Sequence, residues 1–220
     1  MKIKTISIDS VIIYFKQEIS EEVLNQVQSH YYRLKDLKGI IDITPSYCSI
    51  LIRYDLNIYN DKSIKDTIIN LINRLAEANP TIVNQYHSNL SSTVGLASAN
   101  HPKTIKIPTI YNERDLKRVA NHNNLTIEEV ITLHTQKTYR VYAIGFMIGF
   151  AYLAKIDKKI ITPRLSTPRA KIPKGSVAIA DNQTAIYPKD SAGGWNIIGH
   201  TEFNRFEEFN IGDYVKFERI

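Results

Sequence analysis

The residues best suited to acid–base chemistry are His134 and Asp157, in the stretch between His134 and Gly199. An imidazole or a carboxylate can act as a general base when it lies within hydrogen-bond reach of a substrate proton. Asp157 is the only carboxylate of segment 145–157, which is otherwise rich in glycine and aromatic residues. His134 ends an apolar helical face, so a core or helix-terminal histidine is its structural alternative. Both residues are candidate catalytic groups.

Three arginines in the same stretch are candidates for binding an anion. Arg140 lies in a predicted strand, whereas Arg164 and Arg169 each follow a Thr-Pro pair. A guanidinium presents a planar fork of N–H donors that matches carboxylates and phosphates. The alternative for each arginine is a surface charge that only maintains solubility.

Five further side chains complete the candidate binding set. Gln183, Thr184 and Tyr187 offer an amide, a hydroxyl and a phenol to a ligand, although the same groups could shape their loop through hydrogen bonds. Trp195 follows two glycines and could line a pocket, with burial in the core as the alternative. Phe146 is expected in a barrel core or at a partner interface.

Common catalytic and cofactor motifs are absent from the sequence. It has no phosphate-binding Gly-x-x-x-x-Gly-Lys-Ser/Thr loop and no Gly-x-Ser-x-Gly elbow. Gly145 and Gly149 lack the third glycine of a dinucleotide fingerprint. No His/Cys cluster has zinc spacing, so we predict no metal site. The single cysteine, Cys48, lies in an apolar run and is interpreted as a small buried hydrophobic residue.

The composition indicates a globular protein with a basic surface. Of 220 residues, 43% are hydrophobic and 23% charged, with a formal net charge of +6. The basic residues are spread along the chain and form no recognised nucleic-acid motif, so we predict an anionic substrate or acidic partner and no nucleic acid.

The apolar runs are too short to span a membrane, and no signal peptide is evident. We therefore expect a cytoplasmic protein without a membrane partner.

Hydrophobic periodicity predicts an α+β fold with two domains. The first, 1–103, has the βαββαβ order of ferredoxin-like domains, with a polar loop at about 79–103 and its last strand at about 104–110. The second, 111–220, has a helix that opens with a capping box at Thr126–Glu129. Short strands with glycine and proline between them then predict a small closed or nearly closed barrel.

Ordered motifs along nearly the whole chain carry a family resemblance. Near the N-terminus the motif is Ile41-Asp42-x-x-Pro45-Ser46-Tyr47-Cys48-Ser49. Later motifs are Tyr139-Arg140-Val141-Tyr142, Gly145-Phe146-x-x-Gly149-Phe150-x-Tyr152-Leu153, the two Thr-Pro-Arg motifs, Gln183-Thr184-x-Ile186-Tyr187-Pro188 and Gly193-Gly194-Trp195. The chain resembles the family of the 5-oxoprolinase B-type subunit and KipI, also called allophanate hydrolase subunit 1 or carboxyltransferase domain subdomains C and D.

This resemblance implies a cyclophilin-like barrel after the ferredoxin-like domain, and it leaves two functions open. One is a non-autonomous enzyme subunit that acts with C-type and A-type subunits to open the lactam of 5-oxoproline to glutamate with ATP hydrolysis. ATP is then implied for the complex and not necessarily for this chain. The alternative is a KipI-like regulator that binds and inhibits a sensor histidine kinase without catalysis of its own.

The sequence departs from the family pattern at positions where relatives have proline or glycine. A residue with a Cβ restricts positive φ values and close ligand approach, so these changes could reshape the loops around a pocket. They are compatible either with an altered substrate or with lost catalysis and retained binding. The six positions are Ile148, Ala154, Lys155, Asp181, Ala185 and Ala192.

Overall fold

The computed structural model describes residues 1–78, 102–112 and 114–220. The chain divides into two compact units, Met1–His101 and Pro102–Ile220. The polar loop predicted at about 79–103 lies outside the described residues, apart from its last two positions. Each unit has its own sheet and its own helices.

The N-terminal unit is a four-stranded antiparallel sheet with two helices. Its sheet order is β1-β2-β4-β3. Alternate residues such as Val11, Ile13, Ile50 and Ile52 are fully buried, as expected for strands with one face on a core. The elements are β1 (Lys2–Ser7), β2 (Ser10–Tyr14), α1 (Glu21–Leu34), β3 (Ile40–Pro45), β4 (Ser49–Tyr54) and α2 (Asp61–Ala78).

The prediction that residues 104–110 complete this first sheet is wrong. The edge position beside β2 belongs to β1, which forms a tight antiparallel hairpin with β2. Closing that short hairpin costs less chain entropy than a connection from α2 to residue 104. Residues Thr104–Thr109 form β5 instead, and β5 pairs in parallel with the last strand of the second unit.

The second unit is a seven-stranded sheet that nearly closes into a barrel. Its order is β12-β9-β10-β7-β6-β13-β5, and Ile110 and His200 exchange backbone hydrogen bonds of 2.8 and 2.9 Å between the two ends. The remaining elements are α3 (Leu116–His122), α4 (Ile127–Thr135), β6 (Thr138–Ile144), β7 (Ala151–Ala154), β8 (Arg169–Ile172), β9 (Ser176–Ala180), β10 (Gln183–Ile186), β11 (Ser191–Gly193), β12 (Asn196–His200) and β13 (Tyr214–Arg219), with short 3₁₀ turns at Lys158–Ile160 and Phe206–Glu208.

The strands of the barrel bury side chains on both faces. Side chains on the inner face of the sheet pack with side chains of the helices in one core, which includes Val141, Leu153 and Ile179. On the outer face, a separate core forms around Phe150 and Trp195, close to the two-stranded β8–β11 ribbon. Two-sided burial explains why these strands read as nearly continuous apolar runs.

The α+β fold class and the nearly closed barrel predicted from the sequence are confirmed. The capping box at the start of α4 is also present, because the Thr126 side chain accepts from the Glu129 amide and Glu129 accepts from the Thr126 amide. In the described part of the chain, no helix is long and apolar enough to cross a membrane.

Candidate functional site

The candidate base His134 lies inside the barrel and is fully buried. Its Nε2 lies 2.9 Å from Thr184 Oγ1 and its Nδ1 lies 2.7 Å from the Tyr111 hydroxyl. Its ring packs on Phe217, with ring centres 4.6 Å apart. Both ring nitrogens are therefore engaged by groups of the core.

The hydrogen bonds around His134 define its tautomer. The Thr184 hydroxyl donates to the Ala178 carbonyl at 3.0 Å, so its oxygen accepts from His134 Nε2–H. Nδ1 then accepts from the Tyr111 hydroxyl. Burial lowers the pKa of His134 from 6.5 to about 3, so the ring is neutral at physiological pH.

These contacts give His134 and Thr184 a structural role. A general base must reach a substrate proton, and His134 has neither exposed surface nor a free ring nitrogen. The contacts favour the core alternative for His134 over catalysis, and for Thr184 they favour a structural hydrogen-bonding role over ligand binding. Apolar neighbours on the helix face exclude water, and the Tyr111 and Thr184 hydroxyls provide hydrogen-bond partners for both ring nitrogens of His134.

The other candidate base, Asp157, caps the 3₁₀ turn Lys158–Ile160. Its carboxylate accepts from the Lys159 amide at 2.9 Å. Capping carboxylates are common at such turns because they satisfy otherwise unpaired amides. Asp157 therefore has a structural role as the cap of this turn. The contacts described below for the arginines and aromatic residues do not include Asp157.

Four aromatic side chains form a cluster on the outer face of the barrel, which we call the outer aromatic cluster: Phe150, Tyr152, Tyr187 and Trp195. Phe150 lies at its centre, with ring distances of 4.9 Å to Tyr152, 5.3 Å to Tyr187 and 5.8 Å to Trp195. All three contacts are edge-to-face, which aromatic quadrupoles favour. Gly193 permits this packing, since a Cβ there would collide with the Tyr187 hydroxyl.

Arg164 extends over the edge of the outer aromatic cluster. Its guanidinium carbon lies 5.5 Å from the centre of the Trp195 ring, within cation–π range, and its side chain is 57% exposed. Its ion pair with Asp181 is long, at 4.0 Å. Burial raises the pKa of Tyr187 to about 12, and the Arg164 charge opposes part of that rise. Arg164 therefore places an accessible cation beside phenol and indole groups.

Side-chain hydrogen bonds hold the backbone immediately before Arg164. The Pro163 carbonyl accepts from Arg118 at 3.3 Å and from the Asn196 side chain at 3.1 Å. Arg118 also donates to the Asn196 side-chain oxygen. The loop carrying Arg164 is thus fixed to α3 and β12, which positions the guanidinium. Neither Arg118 nor Asn196 belongs to a motif that would have identified it from the sequence.

Arg169 is tied to a buried carboxylate. Its Nη2 lies 2.7 Å from Asp115, and the pair is mostly buried. Asp115 also accepts from the Ile197 amide at 2.8 Å. The remaining contact of Arg169 is a weak bond of 3.4 Å to the Trp195 carbonyl. Arg169 therefore joins β8 to α3 and β12, and sequence reasoning missed its partner because Asp115 lies 54 residues away.

The remaining predicted residues divide between structural and surface positions. Arg140 is buried, donates to the Gly212 carbonyl at 3.0 Å and lies 4.7 Å from the Tyr214 ring centre. Gln183 is half-buried on β10 beside Asp181. Phe146 is 65% exposed, contacts Phe150 at 5.4 Å and adopts a φ of 69°, unusual for a bulky residue.

The structure thus brings together part of the predicted set. Trp195 and Tyr187 lie in the outer aromatic cluster, and Arg164, Arg169 and Phe146 each contact one of its residues. Within the described ranges, no group of three metal-ligating side chains comes together. The outer aromatic cluster with Arg164 is therefore the candidate functional site.

Comparison with known proteins identifies relatives of this chain. Residues 1–211 match the sequence model of the carboxyltransferase domain, subdomain C and D. The chain is 32% identical over 234 residues to the B-type subunit of 5-oxoprolinase from Bacillus subtilis (strain 168), covering 100% of this chain and 92% of the relative. It is 44% identical over 123 residues to the corresponding 5-oxoprolinase subunit of Haemophilus influenzae, covering 51% of this chain and 58% of the relative. These matches confirm the resemblance carried by the motifs.

Solved structures share the architecture. The crystal structure of TTHA0988 matches with a TM-score of 0.76 and 26% identity, over 97% of this chain and 40% of that longer chain. PH0987 from Pyrococcus horikoshii matches with a TM-score of 0.51 and 33% identity, over 100% of this chain and 97% of that chain. Urea amidolyase from K. lactis shares the fold alone, at 14% identity and a TM-score of 0.65, and this chain covers 14% of it.

Proposed function

This chain belongs to the family of the carboxyltransferase domain, subdomain C and D, and on that basis we propose that it is the B-type subunit of an ATP-dependent 5-oxoprolinase. The observation that carries the proposal is the match along the whole chain to the B-type 5-oxoprolinase subunit of Bacillus subtilis. In this proposal a C-type subunit, with an A-type subunit in the larger complex, completes the enzyme. The chain is then an enzyme subunit that needs its partners for turnover.

The candidate site supports a role in binding the substrate carboxylate. A 5-oxoproline molecule carries one carboxylate and one lactam amide. Arg164 offers an accessible guanidinium whose ion pair with Asp181 is long, and guanidinium–carboxylate bonds are strong when they are charge-assisted. Tyr152 is the partly exposed member of the cluster and contacts the lactam ring in this proposal, whereas Trp195 is only 4% exposed and supports Arg164 from below. These residues bind and orient the substrate in our proposal, and the ATP-dependent step belongs to the assembled complex.

Reconstitution tests the proposal directly. The chain is purified alone and together with C-type and A-type proteins from the same genome, and ATP hydrolysis is measured with and without 5-oxoproline. We expect 5-oxoproline-dependent ATP hydrolysis and glutamate formation only in the reconstituted set. A fully assembled complex that hydrolyses no ATP in response to 5-oxoproline would contradict the proposal.

A matched pair of arginine variants tests the candidate site within that complex. Arg205 resembles Arg164, since it is 62% exposed and lies 5.6 Å from the centre of the Phe203 ring, but it is outside the outer aromatic cluster. We expect Arg164→Ala to lower kcat/KM about tenfold or more, which corresponds to about 1.4 kcal/mol, whereas Arg205→Ala changes it less than about twofold. Equal effects of the two substitutions would remove Arg164 from the site.

A regulatory function is the second candidate, and the loop at residues 145–149 favours it. Phe146 is 65% exposed and Ile148 is 89% exposed, although both are large and apolar. Holding a bulky residue at positive φ costs about 1–2 kcal/mol, so Phe146 is presented to solvent at a conformational cost. An apolar loop of this kind suits contact with another protein, such as a sensor histidine kinase.

Kinase assays separate this function from the first. If the chain is a KipI-like inhibitor, it should lower autophosphorylation of a sensor kinase from the same organism without any C-type protein. The Phe146→Ser substitution should weaken that inhibition, and Ile8→Ser, which alters a similarly exposed isoleucine in the N-terminal unit, should leave it unchanged. Absence of binding to every sensor kinase of the organism would contradict the regulatory function.

A further inference from the structure

A small cavity lies beside strand β8 in the second unit, and it shares only Arg169 with the candidate residues discussed above. Its volume is about 70 Å³. A single buried water needs roughly 10–15 Å³ of cavity. The cavity therefore admits a group of a few heavy atoms and is too small for a nucleotide.

The floor of the cavity carries a hydroxyl without a partner. Ser176 is only 3% exposed, and its hydroxyl makes no hydrogen bond within the described part of the chain. Every fully enclosed side-chain polar atom of the described residues has a partner, so the Ser176 hydroxyl must touch the open volume that it lines. A nearly buried hydroxyl in this position is a donor available to a ligand.

Strand pairing places a histidine directly beside this serine. Ser176 on β9 pairs with His200 on β12. His200 Nε2 lies 2.9 Å from Glu202, and the ring lies against Gly175, where a Cβ would be 2.7 Å from the ring carbon Cε1. The close approach requires a glycine at 175, which also has a φ of 82°. The ring is thus held in place as one wall of the cavity.

The described charged side chains that line the cavity are all basic. Arg169 is paired with Asp115 and Lys171 with Asp190, at 2.7 and 2.8 Å. Arg114 lines the same cavity, and the described residues provide it with no ion pair or hydrogen bond. Arg169 also keeps N–H donors beyond those that reach Asp115 and Trp195. Among the described residues, the lining itself contains three cations and no carboxylate, and the neighbouring carboxylates of Asp115, Asp190 and Glu202 are bound to Arg169, Lys171 and His200.

The rest of the lining is apolar, from Ile172, Pro173 and Ile197. The Arg114 guanidinium, a buried hydroxyl donor and an aliphatic wall match a single carboxylate attached to a short hydrocarbon group. We infer that this cavity is a binding site for a small aliphatic carboxylate, with Ser176 and Arg114 as its principal ligand contacts. The site does not depend on the 5-oxoprolinase proposal, because the candidate site for that reaction contains neither residue.

Titration of the full chain with matched probes tests this site. Propionate and propionamide have nearly the same shape and differ in charge, so the pair isolates recognition of the carboxylate. Backbone amide shifts are followed by NMR at constant ionic strength. We expect saturable shifts centred on residues 171–177 and 199–201 with propionate, and at least tenfold weaker binding of propionamide. Equal binding of the two probes, or tighter binding of inorganic phosphate than of propionate, would overturn the assignment.

Two substitutions test the contacts. Ser176→Ala removes the buried donor, and Arg114→Ala removes an exposed cation whose loss leaves packing intact. Each should weaken propionate binding at least fivefold. Lys117→Ala, which removes a nearby exposed cation outside the cavity, should leave binding within twofold. If both Ser176→Ala and Arg114→Ala bind propionate as the unaltered chain does, the cavity is not a carboxylate site.

Discussion

The inner and outer faces of the barrel around strand β10 use polar side chains in different ways. On the inner face, Thr184 and His134 are fully buried, and each polar atom is paired within the core. On the outer face, the Tyr187 ring is buried in the outer aromatic cluster, while Arg164 extends over that cluster into solvent. The inner network specifies one arrangement of the core, whereas the outer face leaves a cation able to change partners.

This difference separates residues that hold the fold from residues that can bind. A satisfied buried network has no capacity for a ligand unless the core opens. An exposed guanidinium over an aromatic ring keeps most of its N–H donors available to a ligand. Replacing its bound water by a carboxylate therefore costs little free energy. Substitutions on the inner face should therefore reduce stability, and substitutions at Arg164 should reduce function.

The largest expected effect is that of His134→Ala. It leaves a cavity, removes the acceptor of the Tyr111 hydroxyl and removes the donor to Thr184 Oγ1, so we expect a loss of about 4 kcal/mol in the free energy of unfolding. Urea denaturation measures it. Thr132→Ala, an exposed change on the same helix, should stay within about 0.5 kcal/mol. A loss below about 1 kcal/mol for His134→Ala would show that the inner network is not a structural core.

Arg169→Ala should have the next largest effect, although Arg169 lies near the outer aromatic cluster. The substitution leaves the Asp115 carboxylate buried without its cation, which should lower the free energy of unfolding by about 3 kcal/mol. Lys171→Ala on the same strand removes the exposed pair with Asp190 and should cost less than about 1 kcal/mol. Similar values for the two variants would mean that Arg169 belongs with the exposed arginines.

The buried histidine also predicts a pH dependence of stability. The pKa of His134 is 6.5 without burial and about 3 in the folded chain, so between these values only the unfolded chain binds the proton. Stability is therefore full above about pH 6.5 and is lost as the pH falls towards 3, with a slope of up to about 1.4 kcal/mol per pH unit from this group.

The His134→Gln variant isolates that slope. Burial also lowers the pKa of His30 in the N-terminal unit, so the unaltered chain has a second contribution of the same sign. Urea denaturation of both proteins at several values between pH 4 and 7 gives the difference in slope. Equal slopes would show that His134 is protonated in the folded chain within this range.

The smallest stability effect should come from Arg164→Ala. Its side chain is more than half exposed and its ion pair with Asp181 is long, so we expect the free energy of unfolding to change by less than about 0.5 kcal/mol. The fluorescence of Trp195, the only tryptophan, should nevertheless change when the cation leaves its ring. A loss above about 2 kcal/mol would place Arg164 among the structural residues and would end the contrast between the two faces.

Several features follow from short-range patterns in the sequence. The capping box at Thr126, the helical stripes of α1 and α4, and the short strands between glycines and prolines all depend on neighbouring residues, and the structure contains them. The family motifs identified the fold and the stretch that carries the outer aromatic cluster. Arg164, Tyr187 and Trp195 were predicted as site residues, and the structure places them together.

Other features could not be read from local pattern. Asp115 and Arg169 are 54 residues apart, and Ser176 and His200 come together only through strand pairing. Their association depends on the closure of the barrel, which no local motif specifies. The orientation of β10 likewise depends on register. It sends Thr184 inward and Ala185 outward, with Tyr187 directly after the strand on the same outer face as Ala185, and a shift of one residue would exchange the faces.

The amino-acid sequence alone was enough to specify the α+β class, the helices and most strands, the family, and the segment that holds the candidate site. The three-dimensional arrangement was needed to show that residues 104–109 join the barrel, that His134 is sealed inside it and that Arg164 remains accessible. The physical reason is that propensity, capping and periodicity act over a few residues. Strand partners, burial and ion pairs depend instead on which distant segments can be brought together at the lowest cost in chain entropy.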